Sequence, residues 1–249
     1  VMVLNIDAEL NKCIYARLCR LYKPVSEEAE PVYAEDGSEI TPPRETYNAA
    51  VLVCNYRTGE LLGMVSTPSV DPLESDAEPA EGAYINRCLS AAFTPGSVFK
   101  LVTSAAAIEN IPDLFDEGFY CEGKTEIAGV PITCTTPHGQ QNFELALANS
   151  CNCTFATLAV RLGQDTMVDY VREYGFLDRQ SLDGITTAAG NYPTEFVGDP
   201  EIGWSGIGQS TDLVCPYSIL RFVCAVANGG VLIEPKLIND GTQSVAERY

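Results

Sequence analysis

A serine and a lysine stand three positions apart in the segment AAFTPGSVFKLVTSAAAIEN, residues 91–110. Residues three or four apart share one face of a helix, so a helix that begins near Ser97 places the Lys100 amine next to the Ser97 hydroxyl. A lysine titrates at about 10.4 in water, but desolvation among apolar neighbours lowers that pKa until the amine can accept a hydroxyl proton. The pair is a candidate nucleophile and base. The alternative is an ordinary helix-start serine with a snorkelling lysine.

A second polar pair occurs in LANSCNCTF, where Ser150 and Asn152 are separated by one residue. A serine hydroxyl can relay a proton between a lysine and a leaving group, and an asparagine amide can hold both a lysine and a substrate carbonyl. The alternative is an N-cap serine beside an unrelated asparagine. Taken alone, the second pair favours this alternative, but together with the first pair it strengthens the interpretation of Ser97 and Lys100 as a nucleophile and its base.

The chain has ten cysteines but no CxxC pair, so the cysteines match no zinc-binding spacing and most are expected to be small buried residues. Cys151 and Cys153 could be metal ligands, but one CxC without further spaced ligands is weak evidence. Cys121 and Cys134 flank EGKTEIAGVPIT, which predicts two short strands. A hairpin there would bring the two thiols within bridging distance. The sequence is equally compatible with a Cys121–Cys134 disulfide and with two free thiols. No metal and no cofactor are expected.

His138 is the single histidine of the chain. It lies in PHGQQ and is expected to be a structural or hydrogen-bonding loop residue. A Ser/His/Asp triad has no motif support.

The N-terminal part of the chain, residues 1–46, predicts a short strand, a helix with Asp7 as its N-cap, and an acidic, proline-rich linker at residues 22–46. The next segment, NAAVLVCNYRTGELLGMVSTP, predicts a hairpin of strands 49–54 and 60–66 with Gly59 in the turn. The first strand is apolar on both faces, which predicts a central position in a larger sheet.

After a loop over residues 67–93, the pattern predicts a helical subdomain at about residues 97–228. It comprises the helix at Ser97, the cysteine-flanked hairpin, and two helices in FELALANSCNCTFATLAVRLG and QDTMVDYVREYGF. Residues 177–210 are expected to be loop-rich. A last helix, 212–227, is predicted to end at NGG before the strand VLIEP.

The net charge of −19 and the absence of a basic stripe argue against a nucleic-acid partner. No apolar run reaches the roughly 18–20 residues of a membrane span, and no signal peptide opens the sequence. The start on VMVLNID indicates a piece of a longer chain.

Four blocks follow one another in the sequence: GELLGMVSTPSVDP, NRCLSAAFTPGSVFKLVTSAAAIE, HGQQNFELALANSCNCTFATLAVRLG and IGQSTDLVCPYSILRFVCAVANGGVLIEPKL. In order and character they resemble the transpeptidase domain of penicillin-binding proteins, most closely the class B, monofunctional kind, over about residues 2–238. The resemblance implies an α+β penicillin-binding protein/serine β-lactamase-like fold, with an antiparallel sheet flanked by a helical subdomain. It assigns residues 47–249 to the transpeptidase-like domain.

By this resemblance Ser97 is the acylated nucleophile, Lys100 its general base, and Ser150 with Asn152 the second catalytic element. The implied activity is a D,D-transpeptidase that cross-links peptidoglycan stem peptides ending in D-Ala-D-Ala and binds β-lactam antibiotics covalently. The resemblance also implies an extracytoplasmic position, an upstream membrane anchor and a glycan-polymerising membrane partner. A non-catalytic β-lactam sensor or scaffold and a serine β-lactamase are the alternatives.

The sequence departs from this family in its third motif, KTG, which is expected on a strand after VANGGVLIEPKL. No KTG occurs there, and Lys124-Thr125 precedes the second motif and is followed by Glu126. The C-terminal strands of the sheet are therefore expected to be missing from this chain. Truncation is favoured over strands supplied by another chain and over a degenerate relative.

Overall fold

The computed structural model describes residues 2–21, 32–33, 39–40, 47–70 and 79–249. The α-helices in these ranges are α1 (Ala8–Leu18), α2 (Arg87–Ser90), α3 (Lys100–Asn110), α4 (Phe143–Ala148), α5 (Asn152–Glu173), α6 (Asp199–Gly206) and α7 (Pro216–Ala227). The strands are β1 (Val32–Tyr33), β2 (Glu39–Ile40), β3 (Ala49–Cys54), β4 (Leu61–Thr67), β5 (Phe119–Cys121), β6 (Lys124–Ile127), β7 (Val130–Thr133), β8 (Gly139–Gln141), β9 (Ser181–Leu182), β10 (Ile185–Thr186), β11 (Val231–Ile233) and β12 (Val245–Arg248). They pair as β1–β2, β3–β4, β5–β8, β6–β7, β9–β10 and β11–β12.

The chain divides into two compact units, of which the first comprises residues 1–91, 182–185 and 220–249. Helix α1 in this unit begins as the sequence predicts, because the Asp7 carboxylate accepts a hydrogen bond from the Leu10 N–H at 2.9 Å. The Asn11 side chain then joins α1 to β4: its amide oxygen accepts from the Met64 N–H, and its amide nitrogen donates to the Leu62 carbonyl, both at 3.0 Å. These bonds fix the helix on the strand.

The predicted hairpin is confirmed as the antiparallel pair β3–β4. Gly59 in its turn has φ +80°, and a side chain there would place its Cβ 2.4 Å from the Glu234 carbonyl oxygen, so glycine is required. All six residues of β3 are half-buried. Within the described ranges β3 pairs with β4 only, so the larger sheet predicted around β3 is not found there.

Strand β11 lies where the sequence predicts a strand, and it pairs antiparallel with β12. The sequence VAER at residues 245–248 predicts no strand, since it is short and half polar. A small core forms beside this pair from Cys224, Ala225 and Leu232, with Cys54 and Tyr56 packed against it.

The second unit comprises residues 92–181 and 186–219 and is built around α5. Phe155, Leu158 and other buried residues of α5 form its main core with α3 and the β5–β8 region. Helices α5 and α6 approach so closely that a Cβ at Gly206 would lie 2.1 Å from the Ala159 Cβ. The Thr103 hydroxyl of α3 donates to the Gly206 carbonyl at 2.6 Å, which ties these three helices together.

Several predicted boundaries are wrong. Helix α6 lies inside the segment predicted to be loop-rich, α2 lies inside the predicted 67–93 loop, and α7 begins at Pro216, not at 212. The two helical segments predicted on either side of residue 163 are confirmed, because α5 is broken at Gly163, where φ is 78° and ψ is 168°. The predicted linker at residues 22–46 lies outside the described residues except for β1 and β2.

None of the helices within the described ranges combines the length and apolar character that a bilayer crossing requires.

Candidate active site

Ser97 lies on a 3₁₀ turn, Gly96–Phe99, that leads directly into α3. The turn is held by the Gly96 N–H, which donates to the Gly208 carbonyl at 2.8 Å. Both glycines have positive φ, and a Cβ at Gly208 would lie only 2.1 Å from the Gly96 carbonyl oxygen. Two glycines therefore allow the backbones to meet, and the Ser97 side chain is left exposed.

Lys100, one helical turn further on, is 1% exposed. Its Nζ lies 3.2 Å from Ser97 Oγ and 3.0 Å from Ser150 Oγ. The same nitrogen lies 2.7 Å from the Ser150 carbonyl oxygen and 2.6 Å from Asn152 Oδ1. The structure thus brings together all four residues that the sequence analysis selected.

The four contacts of Lys100 differ in what they can do. The Ser150 carbonyl and the Asn152 amide oxygen can only accept hydrogen bonds, whereas the two hydroxyls can donate or accept. A neutral amine has two N–H groups and one lone pair, so with both N–H groups on the two obligate acceptors, its lone pair remains for a hydroxyl proton. Burial lowers the pKa of Lys100, although the nearby Cys134, Cys151 and Cys153 act in the opposite direction. The geometry and the pKa direction both suit a general base.

The segment between α4 and α5 owes its shape to Ser150, which has a left-handed φ of 51°. This conformation lets the Ser150 carbonyl and hydroxyl both reach Lys100 Nζ. Asn152 is the first residue of α5, and its Nδ2 donates to the Thr133 carbonyl of β7 at 2.8 Å. That bond fixes the amide orientation, with Oδ1 directed at Lys100.

Four cysteine sulfurs lie next to this segment, from Cys121, Cys134, Cys151 and Cys153, and all are within 4.8 Å of one another. The predicted hairpin β6–β7 between Cys121 and Cys134 is confirmed. All ten cysteines lie in the described ranges and none forms a disulfide, so the bridge considered for Cys121 and Cys134 is not present.

Sequence spacing does not predict this cluster, because the CxC pair is separated in the chain from the other two cysteines. The signal that could have found it is the combination of a cysteine at each end of a predicted hairpin with a CxC at a helix start. His138 also lies beside Cys151, and its buried Nδ1 atom has no hydrogen-bond partner within the described part of the chain.

Comparison with protein families matches the penicillin binding protein transpeptidase domain to residues 49–248. Among curated proteins, stage V sporulation protein D of Bacillus subtilis is 32% identical over 200 residues, which cover 78% of this chain and 30% of that protein. Peptidoglycan D,D-transpeptidase PbpA of Mycobacterium tuberculosis is 27% identical over 215 residues, covering 76% of this chain and 42% of that protein. The chain thus spans less than half the length of these relatives.

Solved structures share the fold. Penicillin-binding protein A from M. tuberculosis, as a ceftriaxone acyl-enzyme complex, superposes with a TM-score of 0.77 at 20% identity, covering 99% of this chain and 57% of that one. Penicillin-binding protein PBP2 from Helicobacter pylori gives a TM-score of 0.78 at 18% identity, covering 100% of this chain and 46% of that one. These likenesses establish the α+β penicillin-binding fold that the sequence predicts.

Proposed function

Because this chain belongs to the penicillin-binding protein transpeptidase family, we propose that it carries the acylation site of a peptidoglycan D,D-transpeptidase. In this proposal Ser97 is the nucleophile and Lys100 is its general base. The observation that carries the proposal is the environment of Lys100: a buried amine has two obligate acceptors on its N–H groups and an exposed serine hydroxyl 3.2 Å from its nitrogen.

Acylation begins when neutral Lys100 takes the hydroxyl proton of Ser97. Ser97 Oγ then forms a bond to the carbonyl carbon of the penultimate D-alanine, giving a tetrahedral intermediate. As that intermediate collapses, the carbon–nitrogen bond to the terminal D-alanine breaks, and the leaving nitrogen needs a proton. The Ser150 hydroxyl, 3.0 Å from Lys100 Nζ, passes a proton from the ammonium to that nitrogen. Free D-alanine leaves, and Lys100 is neutral again.

The second half of the reaction runs through the same groups. An amine of a neighbouring stem peptide attacks the acyl carbon and loses a proton to Lys100, and the ester bond to Ser97 Oγ breaks. Ser97 Oγ recovers a proton from the Lys100 ammonium. The products are a new amide cross-link and the unmodified serine, so atoms and charge balance over the cycle.

The substrate and partners in this proposal follow from the family. The acyl donor is a stem peptide ending in D-Ala-D-Ala, and β-lactams acylate Ser97 in the same way. Support comes from a relative named peptidoglycan D,D-transpeptidase and from a fold neighbour solved as a ceftriaxone acyl-enzyme. The proposal also places the domain on the extracytoplasmic side of the membrane, through an upstream anchor, with a glycan-polymerising membrane partner.

The test is intact-protein mass spectrometry of the chain before and after incubation with benzylpenicillin. We expect one adduct per chain in the native protein and none in Ser97→Ala. Ser104→Ala is the matched control. Ser104 is a buried serine of α3 whose hydroxyl has no hydrogen-bond partner among the residues that the structure describes, and this variant should acylate normally. An adduct that persists in Ser97→Ala would contradict the assignment of the nucleophile.

A time course separates the alternatives. A stable adduct together with release of D-alanine from a stem pentapeptide supports the transpeptidase. Rapid loss of the adduct with hydrolysed penicillin would indicate a β-lactamase, and an adduct without any D-alanine release would indicate a sensor. The sequence contains no KTG. If folded protein forms no adduct, the four residues Ser97, Lys100, Ser150 and Asn152 do not suffice for acylation.

A further inference from the structure

The cysteine cluster draws its four residues from three separate parts of the second unit. Cys121 ends β5, Cys134 directly follows β7, and Cys151 and Cys153 stand on either side of the first residue of α5. The hairpin β6–β7 returns the chain from Cys121 to Cys134, and the start of α5 brings the CxC pair to the same place. Three of the four are buried and Cys134 is half-buried.

The spacing of the sulfurs matches tetrahedral coordination. A zinc ion bound to four thiolates at about 2.3 Å places neighbouring sulfurs about 3.8 Å apart. The Cys134 and Cys151 sulfurs are 3.7 Å apart, and all four lie within 4.8 Å of one another. A disulfide joins sulfurs in pairs, at about 2.05 Å. Mutual proximity of all four is what a single central ion requires.

Hydrogen-bond donors contact three of the four sulfurs, whereas the Cys153 sulfur lies 3.8 Å from the Ile132 carbonyl oxygen. Cys134 Sγ accepts from the Asn152 N–H at 3.0 Å and from the Cys153 N–H at 3.4 Å. Cys121 Sγ accepts from the Gly123 N–H at 3.4 Å. Backbone donors of this kind orient thiolate ligands and disperse their negative charge.

A chain of hydrogen-bonded side chains runs from the exposed Asn149 through the buried Gln141 and Thr154 to Cys151. Its sulfur accepts from the Thr154 hydroxyl at 3.3 Å, and Thr154 accepts from the Gln141 amide at 3.1 Å. Gln141 in turn accepts from the Asn149 amide at 3.1 Å. The side-chain polar atoms of the buried Gln141 and Thr154 all take part in these bonds, and the last donor, the Thr154 hydroxyl, is directed at a sulfur.

We propose that Cys121, Cys134, Cys151 and Cys153 bind one structural Zn²⁺ ion as a tetrathiolate site. Four thiols lose their protons when the ion binds, leaving a closed tetrahedral site without an open position for substrate. Soft thiolate ligands in this geometry select zinc over magnesium or calcium. The expectation of no metal is not kept, because it depended on the CxC pair alone, and the fold adds two further cysteines to that pair.

The metal site would also position Asn152 beside Lys100, because Asn152 lies between the ligands Cys151 and Cys153. Its side chain contacts Lys100 and the Thr133 carbonyl, and Thr133 directly precedes the ligand Cys134. An ion bound by Cys134, Cys151 and Cys153 would therefore fix the positions of both Thr133 and Asn152, and with them the hydrogen bond between these two residues. The four cysteines are positioning residues in this account. The metal site does not depend on the proposed acylation chemistry.

The experiment measures metal content of the whole chain, purified under reducing conditions without a metal-affinity tag. Mass-spectrometric elemental analysis should find close to one zinc per chain. Cys121→Ser and Cys153→Ser should reduce that content to near zero, while Cys215→Ser, at an equally buried cysteine outside the cluster, should leave it unchanged. Circular dichroism identifies any variant that fails to fold.

A second measurement on the unmodified protein does not depend on the variants. Zinc is removed with a chelator under reducing conditions, and Co²⁺ alone is added to the protein. Binding of one Co²⁺ per chain with thiolate-to-cobalt charge-transfer absorption and tetrahedral d–d bands would support the site. If reduced, folded protein takes up neither Zn²⁺ nor Co²⁺, or if Cys153→Ser binds metal as well as the native chain, the proposal is overturned.

Discussion

Replacing Asn152 by aspartate is expected to slow acylation of Ser97 strongly at neutral pH and much less at alkaline pH. The substitution keeps the shape of the side chain but puts a carboxylate where the amide oxygen now lies 2.6 Å from Lys100 Nζ. A negative charge at this distance favours the ammonium over the amine, so the pKa of Lys100 rises. Only the amine accepts the Ser97 proton, and the variant has less of it at any pH below its new pKa.

The size of the effect follows from the geometry. A nearby opposite charge shifts a pKa by about 1–3 units, so the fraction of neutral Lys100 should fall about 10- to 1,000-fold well below that pKa. The variant also loses the exposed hydrogen bond from Asn152 Nδ2 to the Thr133 carbonyl, at a cost of about 0.5–1.5 kcal/mol. That second loss does not depend on pH. Only the charge effect moves the pH profile.

Asn152→Ala is the matched control, because it also loses the Thr133 bond but adds no charge. Removing an acceptor from Lys100 disfavours the ammonium, so this variant should shift the profile to lower pH while Asn152→Asp shifts it to higher pH. The assay is the second-order rate constant for labelling by a fluorescent penicillin, measured across pH. If both variants have the same pH profile and differ only in amplitude, Lys100 is not the titrating base.

Two further changes test the fold around the site. Gly208→Ala should destabilise the protein by about 2–4 kcal/mol, because the new Cβ would lie 2.1 Å from the Gly96 carbonyl oxygen and 2.7 Å from the Phe99 Cβ, at a positive φ. Urea unfolding measures this loss of stability. A loss below about 0.5 kcal/mol would show that the turn relaxes around the new side chain. Burial raises the pKa of Asp212 from 3.8 to about 8, against the opposing hydrogen bond from Ser205. Between about pH 4 and pH 8 the folded protein therefore keeps this proton, while the unfolded chain has released it. The contribution of Asp212 to the free energy of unfolding is complete below about pH 4 and is lost as pH rises toward 8. The free energy of unfolding falls by up to about 1.4 kcal/mol per pH unit in this range. Asp212→Asn should remove that slope, and an equal slope in both proteins between pH 5 and pH 8 would refute the assignment.

The four candidate site residues could be selected from the sequence because part of their arrangement is local and the rest follows from the resemblance to the family. The spacing of Ser97 and Lys100 follows from helical periodicity, and the start of α1 follows from the Asp7 cap. The position of Ser150 relative to Lys100 came from resemblance, since spacing alone does not bring together residues 50 apart. The structure adds the left-handed φ of Ser150, which a serine adopts only where its surroundings require it.

Elements whose stability comes from tertiary packing were missed. Helix α6 has the sequence DPEIGWSG, with two glycines that disfavour an isolated helix. In the folded protein Gly203 and Gly206 allow α6 to approach Ala156 and Ala159 of α5. The same two glycines that lower the predicted helix propensity therefore permit the close packing of the helix. The cysteine cluster was missed for a related reason: its members meet only after the β6–β7 hairpin has formed.

The environment of Lys100 also explains in physical terms why the second motif carries an amide. Burying an ammonium without acceptors costs several kcal/mol, so the fold must either supply acceptors or favour the neutral amine. Here it does both: the Ser150 carbonyl and the Asn152 amide oxygen accept hydrogen bonds, and burial lowers the pKa. A carboxylate would be a stronger acceptor, but it would stabilise the ammonium and remove the base. The amide orients the amine without adding a charge, so the same contact is compatible with both protonation states of Lys100 through which the proposed reaction passes.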